Sequence, residues 1–524
     1  MSRIIGIDLG TTNSCVAVYE DGEVVVLPNS EGSRTTPSIV AFTESGERLV
    51  GQQAKRQAVI NPERTLYGTK RLMGTKFRGS RTSEIQRMLP YRLVEAINGD
   101  CWVGIGTQNY SPPEIAAMIL QKMKATAEDY FGEPILEAVV TVPAYFDDAQ
   151  RHATKDAGRI AGLNVRRIIN EPTAAALAYG INRRKEATIA VFDLGGGTFD
   201  ISILRLNTGV FEVVSTCGNN MLGGDDFDRA ILSRLLQVFE DETGIDISED
   251  KMALQRLREA SEAAKCELST LAETNINLPF LAVDGTGPRH LSYHLTRSEL
   301  NDLVSDLIDE LDGPCRTAVA DAGLTFDDID EVLLVGGMTR MPLVRERVES
   351  IFNRRPNKSI NPDEAVAMGA AIQSSILEGE LREVILLDVT PLSLGIRVVN
   401  NKMSAVIQKN TTLPAQGKKV FTNTEDNQQV VSITVLQGDS GVASQNRILG
   451  TFNLGDIAPR PANMARIEVT FDIDTDGIVH VTARDLETGA NQKITITDHG
   501  GLTEEELRRA TERANLHRQT ASGS

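Results

Sequence analysis

Cysteine, tryptophan, histidine and excess positive charge are all scarce in this chain. Five cysteines stand far apart, at 15, 101, 217, 266 and 315. The count is odd and no CxxC pair occurs, which excludes a disulfide framework and a cysteine zinc site and fits free thiols in a reducing compartment. Lysine and arginine number 54 against 72 acids, a net charge of −18. That balance argues against general nucleic-acid binding and against an anionic membrane surface. No apolar run is long enough to cross a bilayer. Asp8 interrupts the first apolar stretch at once, so no signal core forms; the expected location is the cytoplasm. With 524 residues, 41% hydrophobic and 24% charged, the chain reads as a globular protein of two or more domains.

What is present is a repeated pattern. Ile189-Ala-Val-Phe-Asp-Leu-Gly-Gly-Gly-Thr-Phe-Asp200 is an apolar β run ending in an Asp, then three glycines, then Thr198, then a second β run. Glycines there permit φ > 0 and leave no Cβ before a ligand, and successive bare N–H groups suit an anion. The Asp at the strand end can hold a metal ion through its water shell. A lone copy reads as an ordinary glycine hairpin. Ile4-Ile-Gly-Ile-Asp-Leu-Gly-Thr-Thr-Asn13 is a second copy. Two such hairpins far apart suggest a duplicated unit that clamps one phosphate chain from both sides.

Between them, strand and helix patterns alternate, an α/β signature. Ser111-Pro-Pro-Glu opens a helix running to about residue 130. Residues 137–142 read as a strand, 147–161 as a helix, 165–169 as a strand and 173–179 as an alanine-rich helix. Glu171 falls at a strand-to-helix junction, where open α/β folds place ligand groups; a structural helix-start acid fits equally well. Lys70, in Thr-Lys-Arg-Leu-Met-Gly, sits on a helix or its end and alone reads as a surface charge. In the helix 252–270, Arg258, Glu262, Lys265 and Ser269 share one face, which by itself reads as a solvated ion-paired face. Residues 331–339 form a third strand-to-glycine junction with Gly336 and Gly337. Asn361-Pro-Asp-Glu-Ala begins a well-capped helix ending near Gly379.

From Glu383 the pattern becomes β. Val384-Ile-Leu-Leu is either this region's first strand or a linker docking on the first domain. Short strands at 392–399, 403–408, 418–423, 429–436, 447–453, 465–474, 477–484 and 492–497 predict a β-sandwich. Thr503 and Glu506 form a capping box, with Leu502 and Leu507 as a hydrophobic staple, for a helix from 504 to about 518. A disordered tail is expected from 520.

These motifs, with Val142-Pro-Ala-Tyr-Phe, Ile169-Asn-Glu-Pro-Thr-Ala-Ala-Ala-Leu-Ala-Tyr-Gly, Leu334-Val-Gly-Gly-Met-Thr-Arg-Met-Pro, Leu386-Leu-Asp-Val-Thr-Pro-Leu-Ser-Leu-Gly-Ile and Val469-Thr-Phe-Asp-Ile-Asp-Thr-Asp-Gly-Ile, resemble the seventy-kilodalton heat-shock protein chaperones, the bacterial DnaK type most closely. The resemblance runs from about residue 3 to the start of the last helix. It implies an actin-like, two-lobed α/β ATPase over 1–382, a linker over 383–388, a β-sandwich peptide-binding domain over 389–501, and a first lid helix with tail over 502–524. ATP or ADP, Mg2+ and K+ are the implied cofactors.

The resemblance further implies that Gly10, Thr11, Thr12 and Asn13 meet phosphates from one lobe and Gly195, Gly196, Gly197 and Thr198 from the other. Asp8, Glu171 and Asp193 hold magnesium mostly through water. Lys70 and Glu171 orient the attacking water, and Thr198 lies by the γ-phosphate as an autophosphorylation position. Glu262, Lys265 and Ser269, with Gly336, Gly337, Arg340 and Asp363 opposite, hold the adenosine, which displaces the ion-paired-face reading. Pro143 and Arg151 relay nucleotide state, with Leu386, Leu387 and Asp388 in the linker. Ile396, Val399, Phe421, Val431 and Ile433 match the peptide channel. Implied partners are unfolded hydrophobic polypeptides, a J-domain co-chaperone and a GrpE-type exchange factor. Two departures stand out: only about one helix of the family's long lid is present, so peptide should exchange faster, and Ala462 stands near where a lid-contacting arginine is usual. Two rivals remain, a metabolite kinase on the same fold and an ATP-binding regulator without hydrolysis; the intact Lys70, Glu171 and Thr198 oppose the second.

Overall fold

A computed structural model describes the chain except residues 1–2, 80–81, 84, 87–88, 182–185, 286, 496–500 and 522–524. The expected duplication is visible in two sheets. In the first, Asn164–Asn170, Glu137–Val142, Ile4–Asp8, Asn13–Glu20 and Glu23–Val26 lie side by side. Ile4–Asp8 pairs in parallel with Glu137–Val142 and antiparallel with Asn13–Glu20. In the second, Glu331–Val335, Ala187–Leu194, Phe199–Asn207 and Val210–Asn219 follow the same scheme. Ala187–Leu194 is parallel to Glu331–Val335 and antiparallel to Phe199–Asn207. Each sheet therefore carries one motif hairpin beside a parallel strand.

Two helices join the sheets. Glu171–Gly180 lies against the second sheet and Ala365–Glu378 against the first, and the two cross. Their small residues are required by that crossing. A Cβ on Gly369 would lie 1.8 Å from Ala174 O, and one on Gly6 would lie 2.2 Å from Ala371 N. The second helix starts later than expected, at Ala365, and its N-cap residue Glu364 makes no side-chain cap bond. Asn361-Pro-Asp-Glu is instead a turn, in which Ala365 N donates to Asn361 O at 3.0 Å. Elsewhere the capping signals hold. Ser111 and Glu114 form a capping box on Pro112–Phe131, and Asp147 and Gln150 form one on Asp148–Ile160.

The β region forms two four-stranded antiparallel sheets. One runs Lys402–Ile407, Leu394–Val398, Val431–Gln437, Arg447–Leu454; the other runs Ala415–Phe421, Ile467–Ile473, Val479–Asp485, Asn491–Thr495. Alternation puts Ile467, Val469, Phe471 and Ile473 inside, where they share one core with Leu394, Val435 and Leu454 of the facing sheet. The strand expected over 492–497 is described over Asn491–Thr495, and positions 496 and 497 lie outside the described residues.

The two readings left open for Val384-Ile-Leu-Leu resolve in favour of docking. Ile385–Leu387 is no part of the sandwich; it pairs in parallel with Val210–Glu212 at the edge of the second sheet. The next residue, Asp388, is buried and accepts from Thr173 Oγ1 at 3.3 Å. The sandwich also meets the first lobe. Asp476 accepts from Ile168 N at 3.0 Å and pairs with Lys155 at 2.5 Å, and Val479 N donates to Asp148 at 2.8 Å.

The capping box of Thr503 and Glu506 is formed, and Leu502 and Leu507 enter one apolar cluster. The helix runs Glu504–Ala521 rather than fraying near 518; of the expected tail, 522–524 lie outside the described residues. Leu507, Ala510 and Ala514 pack into the first lobe's core, and Arg513 pairs with Glu114 at 2.5 Å. Replacing Gly369 by Ala should lower unfolding free energy by about 3 kcal/mol or more, because backbone rather than a flexible side chain blocks the new methyl. Urea denaturation monitored by circular dichroism measures it.

Candidate functional site

The two motif hairpins face each other across one cleft. Gly10, Thr11, Thr12 and Asn13 line it from the first sheet, and Gly195, Gly196 and Thr198 from the second, around about 300 Å3. The loops come so close that a Cβ on Gly196 would sit 1.8 Å from Thr12 Oγ1, and one on Gly197 2.6 Å from Thr11 Cγ2. Each loop is pinned from behind. Ser38 N donates to Thr12 O and Ser38 Oγ to Gly10 O, both at 2.8 Å. Gly224 N donates to Gly195 O at 2.9 Å and Asp225 N to Gly196 O at 2.8 Å.

A short turn, Thr69–Leu72, holds both loops. Lys70 is buried, and its Nζ donates to Leu9 O at 2.6 Å and to Glu171 Oε1 at 2.7 Å. The neighbouring Arg71 donates from Nε to Gly197 O at 3.0 Å and pairs with Asp226 at 2.6 Å. Lys70 is thus no surface charge, and Arg71 is a cleft-holding residue that sequence reasoning missed. Its adjacency to Lys70 was the available signal.

Four carboxylates lie around Lys70, three of them buried and Asp8 half-buried. Asp8 ends its strand and accepts from Thr141 Oγ1 at 3.2 Å. Glu171 begins its helix, so the junction acid faces the cleft. Asp193 stands directly across the hairpin from Asp200, which sequence reasoning also missed although the motif itself ends on it. Asp200 accepts from Tyr145 N at 3.2 Å. Burial and then the Glu171 charge push Asp8 and Asp200 each up to about 7, and raise Asp193 well above the carboxylate range. One lysine does not neutralise this group, so a divalent cation fits the site. Among the described residues no group of three or more His, Cys, Asp or Glu is placed to ligate an ion directly.

The far end of the cleft is built from Glu262, Lys265, Gly336, Gly337, Arg340 and Asp363, joined by Asp225, Asp228 and Cys266. Lys265 pairs with Asp228 at 2.8 Å and donates to Gly224 O at 3.1 Å. Glu262 reaches across to Lys55 at 3.0 Å. Arg340 pairs with Asp363 at 2.6 Å. Gly336 has φ +81°, and a Cβ there would press on Leu194 O at 2.4 Å. Ser269 stands off the cleft wall, its Oγ turned onto Lys265 O at 3.3 Å. Gly197 likewise faces Arg71.

Behind the cleft, Arg151 is buried and its guanidinium donates to Phe146 O, to Ala144 O in the turn after Pro143, and to Asn170 Oδ1 at 2.8 Å. It also donates to Asp476 O of the sandwich at 3.3 Å. Leu386 packs on the core between the sheets. Of the five channel residues, Ile396 and Ile433 are buried in the sandwich core, Phe421 and Val431 pack on its margin, and Val399 is exposed.

Asp8 and Asp200 have folded-state pKa values above the 3.8 of a free Asp. They are protonated in both states at low pH, so their penalty is absent there. It grows as pH rises from about 4 through about 7, and stability falls over that window. A divalent cation offsets the ionised form. Thermal melts should therefore show Mg2+ with ADP raising Tm more at pH 8 than at pH 6, with Asp8→Asn narrowing the difference.

The family model described as Hsp70 protein matches residues 4–522, nearly the whole chain. Members of that family are ATP-dependent chaperones with a two-lobed ATPase domain and a β-sandwich, and they use nucleotide and Mg2+. The strand scheme, the cleft and the sandwich agree with that membership: this chain belongs to the Hsp70 protein family.

Proposed function

We propose that this chain hydrolyses ATP in the cleft between the two lobes and uses the nucleotide's state to control capture and release of extended hydrophobic segments of unfolded polypeptides. The actin-like ATPase occupies 1–382, the linker 383–388, the peptide-binding sandwich 389–501 and the first lid helix with its tail 502–524. The observation that carries the reading is the linker strand Ile385–Leu387, hydrogen-bonded as an edge strand of the very sheet that supplies Asp193 and the glycine loop.

Bound magnesium would neutralise phosphate charge, held by Asp8, Glu171 and Asp193 through water. The chain's own groups do the rest by positioning and electrostatics, as phosphoryl transfer requires. Backbone N–H groups and hydroxyls of Gly10 to Asn13 and Gly195 to Thr198 grip the phosphates. Lys70, fixed by Leu9 O and Glu171, orients the attacking water together with that carboxylate. Glu262, Lys265, Ser269, Gly336, Gly337, Arg340 and Asp363 hold the adenosine.

A physical route leads outward from Glu171. Asn170 precedes it and accepts from Arg151, which donates to Asp476 of the sandwich. On the same face Arg447 pairs with Asp147 and donates to Gly74 O. Arg447 lines one small cavity with Lys70 and Thr198. A change in how the loops hold phosphate alters what the sandwich rests on, and the reverse follows by linkage. An extended peptide in the released sandwich gains main-chain hydrogen bonds and burial of one or two apolar side chains beside Ile396, Val399, Phe421, Val431 and Ile433. A J-domain partner would speed hydrolysis and a GrpE-type factor ADP release.

Two measurements test this. Single-turnover ATP hydrolysis should drop at least about a hundredfold in Lys70→Ala, since removing one such electrostatic group costs about 3 kcal/mol. Labelled hydrophobic peptide should leave faster with ATP than with ADP; equal off-rates in the two states would end the proposal. A sugar phosphate as product would favour a metabolite kinase. At the interface, Arg447→Gln should raise the peptide-free ATPase rate severalfold by loosening the docked sandwich. Arg447→Lys, which keeps a cation beside Asp147, should stay nearer the parent rate; steady-state ATPase assays measure both.

A further inference from the structure

Behind the adenosine end of the cleft lies a separate cavity of about 420 Å3, lined by Thr339, Arg340, Arg345, Lys358, Ser359 and Asn361 with apolar residues beneath. Its wall holds three cationic side chains and no carboxylate, in a chain whose net charge is −18. Arg340 is engaged by Asp363 on its cleft side. Arg345 is half-buried and tethered by one bond, Nε to Thr339 O at 2.7 Å. That tether fixes the stem and leaves both terminal nitrogens of the fork free of any carboxylate among the described residues. Lys358 likewise meets none.

The remaining side-chain hydrogen-bonding capacity is mostly that of donors. Asn361 Oδ1 already accepts from Asp363 N at 3.2 Å and from Arg340 Nη2 at 3.1 Å, which leaves the amide nitrogen to donate. Thr339 Oγ1 gives its proton to Gly336 O at 2.7 Å, which leaves that hydroxyl as an acceptor only. Arg345, Lys358 and the Asn361 amide nitrogen offer donors only, and the Ser359 hydroxyl can add another. A neutral polar ligand would find few acceptors. An anion with several acceptor oxygens fits, and a guanidinium fork suits a tetrahedral oxyanion better than a spherical ion.

From this geometry we infer that the cavity is a second anion site, distinct from the phosphate loops, for a phosphoryl dianion. The volume admits orthophosphate or the phosphate end of a small monoester. Arg340 borders both this cavity and the nucleotide cleft. An occupant that recruits Arg340 from Asp363 would change nucleotide affinity, and nucleotide would change anion affinity by the same factor.

The test uses the full chain with Mg2+ and a non-hydrolysable ATP analogue present throughout, so that the phosphate loops are filled. Inorganic phosphate and glycerol 3-phosphate are titrated separately by calorimetry, against sodium chloride at matched ionic strength. One saturable site per chain is expected. Arg345→Gln with Lys358→Gln should weaken it about a hundredfold, about tenfold for each charge-assisted hydrogen bond removed, with analogue affinity and Tm retained. Lys358→Gln alone, at an exposed position, gives the tenfold step without risk to folding. Tighter binding of glycerol 3-phosphate identifies a monoester site, and equal binding identifies free phosphate; both support the inference. No saturable heat, an equal response to chloride, or unchanged binding in both variants overturns it.

Discussion

Lys70 faces Asp8, Glu171, Asp193 and Asp200 at the base of the cleft, where Asp8 is half-buried and the other three acids are buried. That imbalance organises the rest. Burying carboxylates with too few partners is unfavourable, so the lobes are built to receive compensating charge between them. Three of the four acids are delivered by strand ends and one by a helix start, all rigid elements. The compensation is therefore sensed by the frames of both sheets at once. The turn Thr69–Leu72 makes that literal, since adjacent side chains grip a carbonyl in each loop.

The glycines and alanines record how closely the frames approach. Gly196 and Gly197 let the loops meet, and Gly369 and Gly6 let helices lie on backbone rather than on side chains. The contacts at Gly369 and Gly6 are with backbone and cannot shift by rotamer changes; they shift as bodies. On the proposed cycle, that rigidity would carry a rearrangement at the glycine loops to Arg151 and the sandwich surface.

Much of this was legible in the sequence. The hairpin repeat announced the duplicated sheets, period-two alternation announced the sandwich, and Ser111, Asp147 and Thr503 announced their helices, because those signals are local. The residues overlooked are non-local. Arg71, Asp225 and Asp228 look like ordinary surface charges until folding sets them against a distant loop or across a cleft. Asp200 was hidden because register, not spacing, places it opposite Asp193. Asn361 misled because an Asn-Pro-Asp-Glu string suits a helix start, whereas here it makes the preceding turn and feeds Arg340. The fate of Val384-Ile-Leu-Leu was undecidable locally, since a short apolar run pairs with whichever edge is offered.

That edge has a cost of its own. While Ile385–Leu387 is paired, Val210–Glu212 is an interior strand. Were the segment to leave, one row of main-chain donors and acceptors on that strand would lose its partner, and so would the departing apolar tripeptide. Both are sticky surfaces of the kind that recruit foreign strands. On the proposed cycle the undocked protein would then carry a self-association hazard, and Glu212, Glu383 and Asp388, the charges on and beside this pairing, are placed to blunt it.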